Sequence, residues 1–257
     1  MKIKIVIPAR LASTRLPEKL LRKAAGKTVL QHTYDSVAGA NVVSRAEHGA
    51  EVVVAVDDPR LLAEVTGFGG QARMTSPTCN SGTDRVAEIA SQESEVDVFI
   101  NVQGDEPEMD PAAIDLVAQA LAEDKDADMA TIVTPIKDAR LLHDPACVKA
   151  VIDDRGRAVY FSRAAIPHHR EGDVRTLLQQ DPPVCFQHLG LYAYRRAFLD
   201  WFTRQPPSSW EQAECLEQLR AVQAGKRIAV RTVPQATPGI DTLEDFEAFV
   251  GRLQQSS

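Results

Sequence analysis

Arg10, Arg15 and Lys19 fall within ten residues in the stretch PARLASTRLPEK, residues 8–19, and Glu18 is the only acid among them. Three cations on one segment make a local well for a polyanion. An arginine presents a planar fork of donors suited to phosphate oxygens. The small residues Ala9, Ala12 and Ser13 let backbone amides approach a phosphate. A solvated surface loop would carry the same residues. A second stretch, NVQGDEP at 101–107, places Asp105 and Glu106 on a turn behind the apolar run Val98-Phe99-Ile100. Mg2+ takes one or two carboxylates and completes its shell with phosphate oxygens and water, so Asp105 is a candidate metal ligand. Asp241, in PGIDTLEDFE, is the candidate second carboxylate. It would serve equally as the N-cap of a following helix, with Glu244 completing a capping-box variant.

Two further stretches are ambiguous on their own. In NSGTDR, residues 80–85, Ser81, Thr83 and Asp84 suit a helix N-cap, and Gly82 lets a ligand approach the backbone. In HLGLYAYRR, residues 188–196, His188, Tyr192 and Tyr194 alternate along a strand and share one face. Such groups are core side chains as readily as ligand contacts. Glu217 and Gln218 sit between leucines in LEQLR, where an acid ordinarily marks a solvated helix face. AGKTV, residues 25–29, contains the GKT of a phosphate-binding loop, but the required earlier glycine is Leu21. Gly26 is therefore read as a turn before a helix.

The elements that must position these residues follow from periodicity. Strands are expected over 2–8, 51–56, 96–102, 129–134 and 227–233, and helices over 28–38, 60–66, 83–93, 111–123 and 211–224. Short apolar strands alternating with helices predict an α/β fold with a mostly parallel, mixed sheet. VKAVID and AVYFSR, joined at Asp154-Arg155-Gly156-Arg157, predict an antiparallel excursion. The basic loop, the Asp57-Asp58-Pro59 turn and QGDEP each follow a strand end, where ligands gather in such sheets. The expected organisation is a single domain over 1–257 with an irregular subregion at about 135–190. Residues 167–183, polar and proline-rich, read as a mobile loop.

The chain has 257 residues, 44% apolar and 25% charged, with a net charge of −7. That balance argues against a nucleic-acid partner, which favours a basic surface. No apolar run approaches a membrane span, and Pro8 interrupts the N-terminus too early for a secretory signal. Four scattered cysteines without a CxxC pattern fit a reduced cytoplasmic protein.

The order of the motifs is more specific than any one of them. IPARLASTRLPEK, SGTDR, NVQGDEP, YFSRAAIP, HLGLYAYRR, LEQLR and PGIDTLEDFE together resemble the 3-deoxy-manno-octulosonate cytidylyltransferase (CMP-Kdo synthetase) family, from Ile5 to about Phe246. The resemblance implies a Rossmann-like nucleotidyltransferase fold, a homodimer, and Mg2+-dependent transfer of CMP from CTP to Kdo for lipopolysaccharide synthesis. Arg10, Arg15 and Lys19 would hold the triphosphate, and Asp105 and Asp241 the metal, these five forming the catalytic set. Glu106 would be a turn or supporting residue. Pro8, Ala9, Thr75, Ser81 and Gln103 would surround the nucleotide. Gln103, Arg163, His188, Tyr192, Glu217 and Gln218 would contact Kdo, with Arg163 as the fixed cation for its carboxylate. Some members carry Arg after the Met-Thr pair that matches Met74-Thr75; here it is Ser76.

Three rivals remain at this level. One is a cytidylyltransferase for 8-amino-Kdo or sialic acid. Another is a non-catalytic nucleotide-binding protein. The third is a glycosyltransferase using Asp124-Lys125-Asp126 or Asp126-Ala127-Asp128 as its metal motif, although these acids lie at a polar helix end.

Overall fold

A computed structural model describes residues 1–44, 49–170 and 172–255. The chain groups into two compact units: Met1–Asp115 with Thr237–Ser257, and Leu116–Ala236.

The first unit is built on four parallel strands in the order β4-β1-β2-β3: β1 (Ile3–Ala9), β2 (Glu51–Val56), β3 (Ala72–Met74) and β4 (Val98–Asn101). Ile5, Val6, Ile7, Val53, Val54, Phe99 and Ile100 are almost wholly buried. Such continuous apolar runs suit parallel strands covered on both faces. The register pairs Ile7 with Val54, Ala9 with Val56, and Val56 with Met74. The carboxyl ends of β1, β2 and β3 therefore lie along one edge, and β4 runs parallel beside β1. Helices Val29–Ala38, Pro59–Gly67 and Gly82–Ser91 follow, capped by Thr28, Asp58 and Ser81. Gly26, at φ +83°, turns a two-residue hairpin before the first of them, so AGKTV holds no phosphate loop. The short strand Ala72–Met74 escaped the sequence reading because three residues show too little periodicity.

The second unit pairs β5 (Met129–Pro135) with β8 (Phe186–Arg195), antiparallel, and with β9 (Ile228–Thr232), parallel. β6 (Lys149–Ile152) and β7 (Ala158–Ser162) form the expected antiparallel excursion, and β6 also pairs with β8. Gly156, at φ +70°, and the Asp153 carboxylate, which accepts from the amides of Arg155 and Arg157, shape its turn.

Two expectations need correction. The helix expected over 211–224 is two helices, Ser209–Glu214 and Gln218–Gln223, separated at Cys215, which takes a left-handed φ of 51°. The periodicity of the apolar residues continues across the break and hides it. The second correction concerns 167–183. This stretch contains a helix, Val174–Leu178, capped by Asp173, and Leu177 packs with Ile136, Leu142, Cys147 and Cys185. Glu171 lies outside the described residues. Among the described residues no helix is long and apolar enough to cross a membrane.

Candidate active site

The two acidic turns of the first unit are joined by the backbone. The Ile240 amide donates to the Asp105 carbonyl at 2.8 Å, which sets PGID beside QGDEP. Gly104 holds the other side. A Cβ there would meet the Pro8 carbonyl oxygen at 2.9 Å, too close for a rigid backbone atom, and Thr33 Oγ1 donates to the Gly104 carbonyl at 3.0 Å. Gly104→Ala should thus destabilise the protein by about 1–3 kcal/mol through overpacking. Urea titration checks this; an unchanged midpoint would show that the turn yields freely.

The helix after PGID is capped by Thr242, not Asp241. The Asp245 amide donates to Thr242 Oγ1 at 3.2 Å, and the Thr242 amide donates to the Asp245 carboxylate at 2.8 Å. This reciprocal pair leaves the Asp241 carboxylate for other work. Lys19 Nζ donates to Asp241 Oδ1 at 3.0 Å, to the Ile240 carbonyl at 3.0 Å and to Asp105 Oδ2. Arg15 Nη2 lies 2.9 Å from Asp241 Oδ2. Burial would lower the pKa of Lys19, but Asp105 and Asp241 outweigh it and raise the ammonium above its ordinary value. Burial, with Asp105 next, pushes the Glu106 carboxyl up to about 8. Its amide closes a turn on the Gln103 carbonyl, so Glu106 is a turn residue.

Asp105 and Asp241 thus converge on one cation, the Lys19 ammonium. Among the described residues no group of three or more His, Cys, Asp or Glu side chains could hold a metal. A two-carboxylate site completed by phosphate oxygens is the kind Mg2+ accepts, and this donor set fits it.

A cavity of about 250 Å3 opens beside these groups, lined by Pro8, Arg10, Lys19, Ser81, Gly82, Arg85, Gln103, Asp105 and Asp241 among others. Arg10 is exposed and Ala9 buried. Gln103 Nε2 donates to Asn101 Oδ1 at 3.3 Å. Ser81 Oγ accepts from the Asp84 amide in a full capping box, so its helix-cap role is present whatever it does for a ligand. Cys79 also lines the cavity; burial and its bond to Glu88 push the thiol up to about 11, keeping it protonated.

Arg85 and Asp57 are the residues that sequence reasoning missed. Arg85 Nη2 donates to Asp57 Oδ2 at 2.9 Å, while Nη1 donates to Thr75 Oγ1 at 2.7 Å and to the Ser76 carbonyl at 3.1 Å. Asp57 Oδ1 accepts from the Leu11 amide at 2.9 Å. One buried guanidinium therefore ties together the chain following β1, β2 and β3. Thr75 is itself buried, its hydroxyl spent on the Val56 carbonyl. The available signal was an Asp behind β2 and an Arg on the buried side of a capped helix, four residues after its cap.

Arg163, His188, Tyr192, Glu217 and Gln218 belong to the second unit. Arg163, expected as the fixed cation for a sugar carboxylate, gives three of its five N–H donors to backbone carbonyls and keeps its charge. Its guanidinium donates to the carbonyls of Glu214, Pro145 and Cys215 at 2.8, 2.9 and 3.3 Å. The helix break at Cys215 supplies two of those acceptors, which sequence alone could not foresee. His188 is buried, 4.8 Å from Phe161 and 5.4 Å from Tyr192 between ring centroids. Thr131 Oγ1 lies 3.0 Å from His188 Nε2 and can give its single proton to the carbonyl of Leu191 or Leu189. The ring proton then sits on Nε2. Burial lowers the His188 pKa to about 3, so the imidazole is neutral at physiological pH. Tyr192 and Tyr194 stack at 5.7 Å, confirming that the alternating residues share a face. Gln218 is buried and Glu217 half-buried, not a solvated face.

The acids of the Asp-x-Asp pattern are engaged elsewhere. Arg157 binds Asp124 in bidentate fashion at 2.7 and 2.8 Å, Arg227 pairs with Asp126, and Lys226 with Asp128. They are ion-pair partners within the second unit rather than a metal motif.

Comparison with known proteins agrees with the geometry. The cytidylyltransferase family model matches residues 4–228. A 3-deoxy-manno-octulosonate cytidylyltransferase from Rhodopirellula baltica is 57% identical over 254 residues, covering 99% of both chains. One from Geobacter sulfurreducens is 44% identical over 260 residues, covering 99% of this chain and 100% of its own. The solved structure of a CMP:2-keto-3-deoxy-manno-octonic acid synthetase complexed with CTP superposes with a TM-score of 0.90, at 38% identity and full coverage of both chains. With four parallel strands, a mixed sheet and the conjunction of basic loop and paired aspartates, the chain belongs to the 3-deoxy-manno-octulosonate cytidylyltransferase family.

Proposed function

We propose that the protein transfers CMP from CTP to 3-deoxy-manno-octulosonate, giving CMP-Kdo and pyrophosphate. The observation that carries this reading, beside family membership, is the convergence of Lys19, Asp105 and Asp241 in a cavity that Arg10 also lines. Arg10 and Arg15, both exposed, would fork onto triphosphate oxygens and neutralise their charge. Asp105 and Asp241 would hold Mg2+, whose bound charge polarises phosphate oxygens and offsets the charge that develops on pyrophosphate. The anomeric hydroxyl of Kdo attacks the α-phosphorus and loses its proton to solvent, the bond from the α-phosphorus to the bridging oxygen breaks, and pyrophosphate leaves with that oxygen. This chemistry asks the protein for positioning and charge neutralisation more than covalent help. The rigid Gly104 turn and the Arg85–Asp57 pair supply the positioning.

On the sugar side, His188 is neutral and packed between Phe161 and Tyr192. It suits a hydroxyl partner rather than an anionic one. The reading includes a homodimer, carried by the family resemblance, and a cytoplasmic place of work, carried by the scattered cysteines without a CxxC pattern; light scattering of the purified protein tests the first. The substrate test offers CTP with Kdo, 8-amino-Kdo and N-acetylneuraminate and follows pyrophosphate release. Kdo should be used with the highest kcat/KM. Preference for either of the others would move the protein to a neighbouring specificity, and no release with any sugar would leave a nucleotide-binding protein.

A further inference from the structure

Lys19 stands in the position where the paired aspartates would hold a cation. Its three ammonium protons have three acceptors: Asp105 Oδ2, Asp241 Oδ1 and the Ile240 carbonyl. The side chain is only 14% exposed, so water offers it little in exchange. Arg15 takes the other oxygen of Asp241. Two carboxylates and two cations cancel, and the centre carries no surplus negative charge to attract a metal. A divalent ion taking Asp105 Oδ2 and Asp241 Oδ1 would compete with Nζ for the same two oxygens. Two such cations within about 4 Å of each other repel strongly in a partly buried site. Metal and ammonium therefore compete for these two carboxylates.

We infer that Lys19 is a placeholder cation, exchanged for the metal only when the nucleotide triphosphate arrives. The phosphates give the ammonium a new partner within the cavity that Lys19 already lines, and its departure frees Asp105 Oδ2 and Asp241 Oδ1, while Arg15 stays on Asp241 Oδ2. Metal and nucleotide binding are then coupled through one side chain, and the coupling is reciprocal. The free protein is spared a standing divalent ion, and the metal enters only with the substrate whose charge it must balance. This inference rests on the proposed metal role of Asp105 and Asp241, and its test separates the two.

Mn2+ serves as the probe, followed by electron paramagnetic resonance for free ion and by water-proton relaxation for protein-bound ion. The relaxation signal separates the ternary complex from Mn2+ held by nucleotide alone. The full-length wild type should bind Mn2+ weakly, and at least about tenfold more tightly with a non-hydrolysable CTP analogue. Lys19→Met should bind Mn2+ without nucleotide about tenfold more tightly than the wild type, and the analogue should add less than about threefold. Lys19→Gln repeats the measurement with a polar, uncharged side chain, and thermal melting certifies that each variant is folded. Equal nucleotide-free affinity in wild type and both variants would overturn the placeholder role. Unchanged Mn2+ binding in the ternary complexes of Asp105→Asn and Asp241→Asn would instead overturn the metal assignment beneath it.

Discussion

Asp105→Asn lowers kcat by about a thousandfold and leaves the protein folded. That is the expected result of removing one negative charge from the point where Asp105, Asp241 and Lys19 meet. A thousandfold loss corresponds to about 4 kcal/mol of transition-state stabilisation, the range seen when one preorganised charge-balancing group is removed. The structural cost is small by comparison. Asp105 is 28% exposed, and Lys19 keeps Asp241 and the Ile240 carbonyl as partners. With the Lys19 side chain only 14% exposed, losing this one charged partner costs about 1–3 kcal/mol, still below the kinetic loss. The two scales separate cleanly: steady-state kinetics at saturating CTP and Kdo report the first, and thermal melting the second. Asp241→Asn should behave similarly, with an added rise in the KM for CTP because Arg15 loses its anchor at Asp241 Oδ2. A purified Asp105→Asn variant with a kcat within tenfold of wild type would remove Asp105 from the chemistry.

The fold was legible where a residue's job is local. β1, β2 and β4 announce themselves as apolar runs, and the hairpin of β6 and β7 by its Asp-Arg-Gly turn. Ser81 caps its helix as its position suggests. The break at Cys215 was not legible, because it is stabilised from outside the segment: Arg163 collects the carbonyls that the interrupted helix leaves without intrahelical partners. The same long-range bonds changed the reading of Arg163 itself. In sequence it was the fixed cation for a sugar carboxylate; in the structure three of its five donors also hold backbone carbonyls. Asp241 shows the reverse. A capping motif seemed to claim it, but the neighbouring Thr242–Asp245 pair satisfies the helix end, and the aspartate is released for the site. Which of two adjacent residues caps a helix is settled by about one hydrogen bond's energy, too fine a difference to read from residue types. The convergence of Lys19 with Asp105 and Asp241 was foreshadowed by motif order. The direct ion pairing among them was not, since it depends on the Ile240–Asp105 backbone bond.

Arg85→Met destabilises the protein by about 3–5 kcal/mol, the cost of breaking a buried ion pair from one side. Arg85 and Asp57 have side chains only 5% and 15% exposed, and the methionine roughly matches the volume of the arginine stem while offering no donor. Three acceptors lose a partner at once: Asp57 Oδ2, Thr75 Oγ1 and the Ser76 carbonyl. Thr75 can fall back on the Val56 carbonyl, and Asp57 retains the Leu11 amide, so the loss stays below the sum of three separate bonds. Asp57→Asn in the same chain removes the uncompensated charge while keeping an acceptor for Leu11. The double variant should therefore recover about 1–2 kcal/mol of the single variant's deficit, a coupling of the size expected for contacting residues. Arg85→Lys is a sharper comparison. It restores the charge but cannot reach Asp57, Thr75 and Ser76 together from one ammonium in the fork geometry the guanidinium provides. Its stability should lie between those of wild type and Arg85→Met. Because the guanidinium fixes the basic loop, through Asp57 and Leu11, against the Thr75–Ser76 segment, its KM for CTP should rise more than its kcat falls. Urea denaturation of the four proteins, analysed at constant m-value, gives the energies. A loss below 1 kcal/mol in Arg85→Met, or a double variant less stable than the single, would mean that the pair holds nothing the packed strands do not already hold.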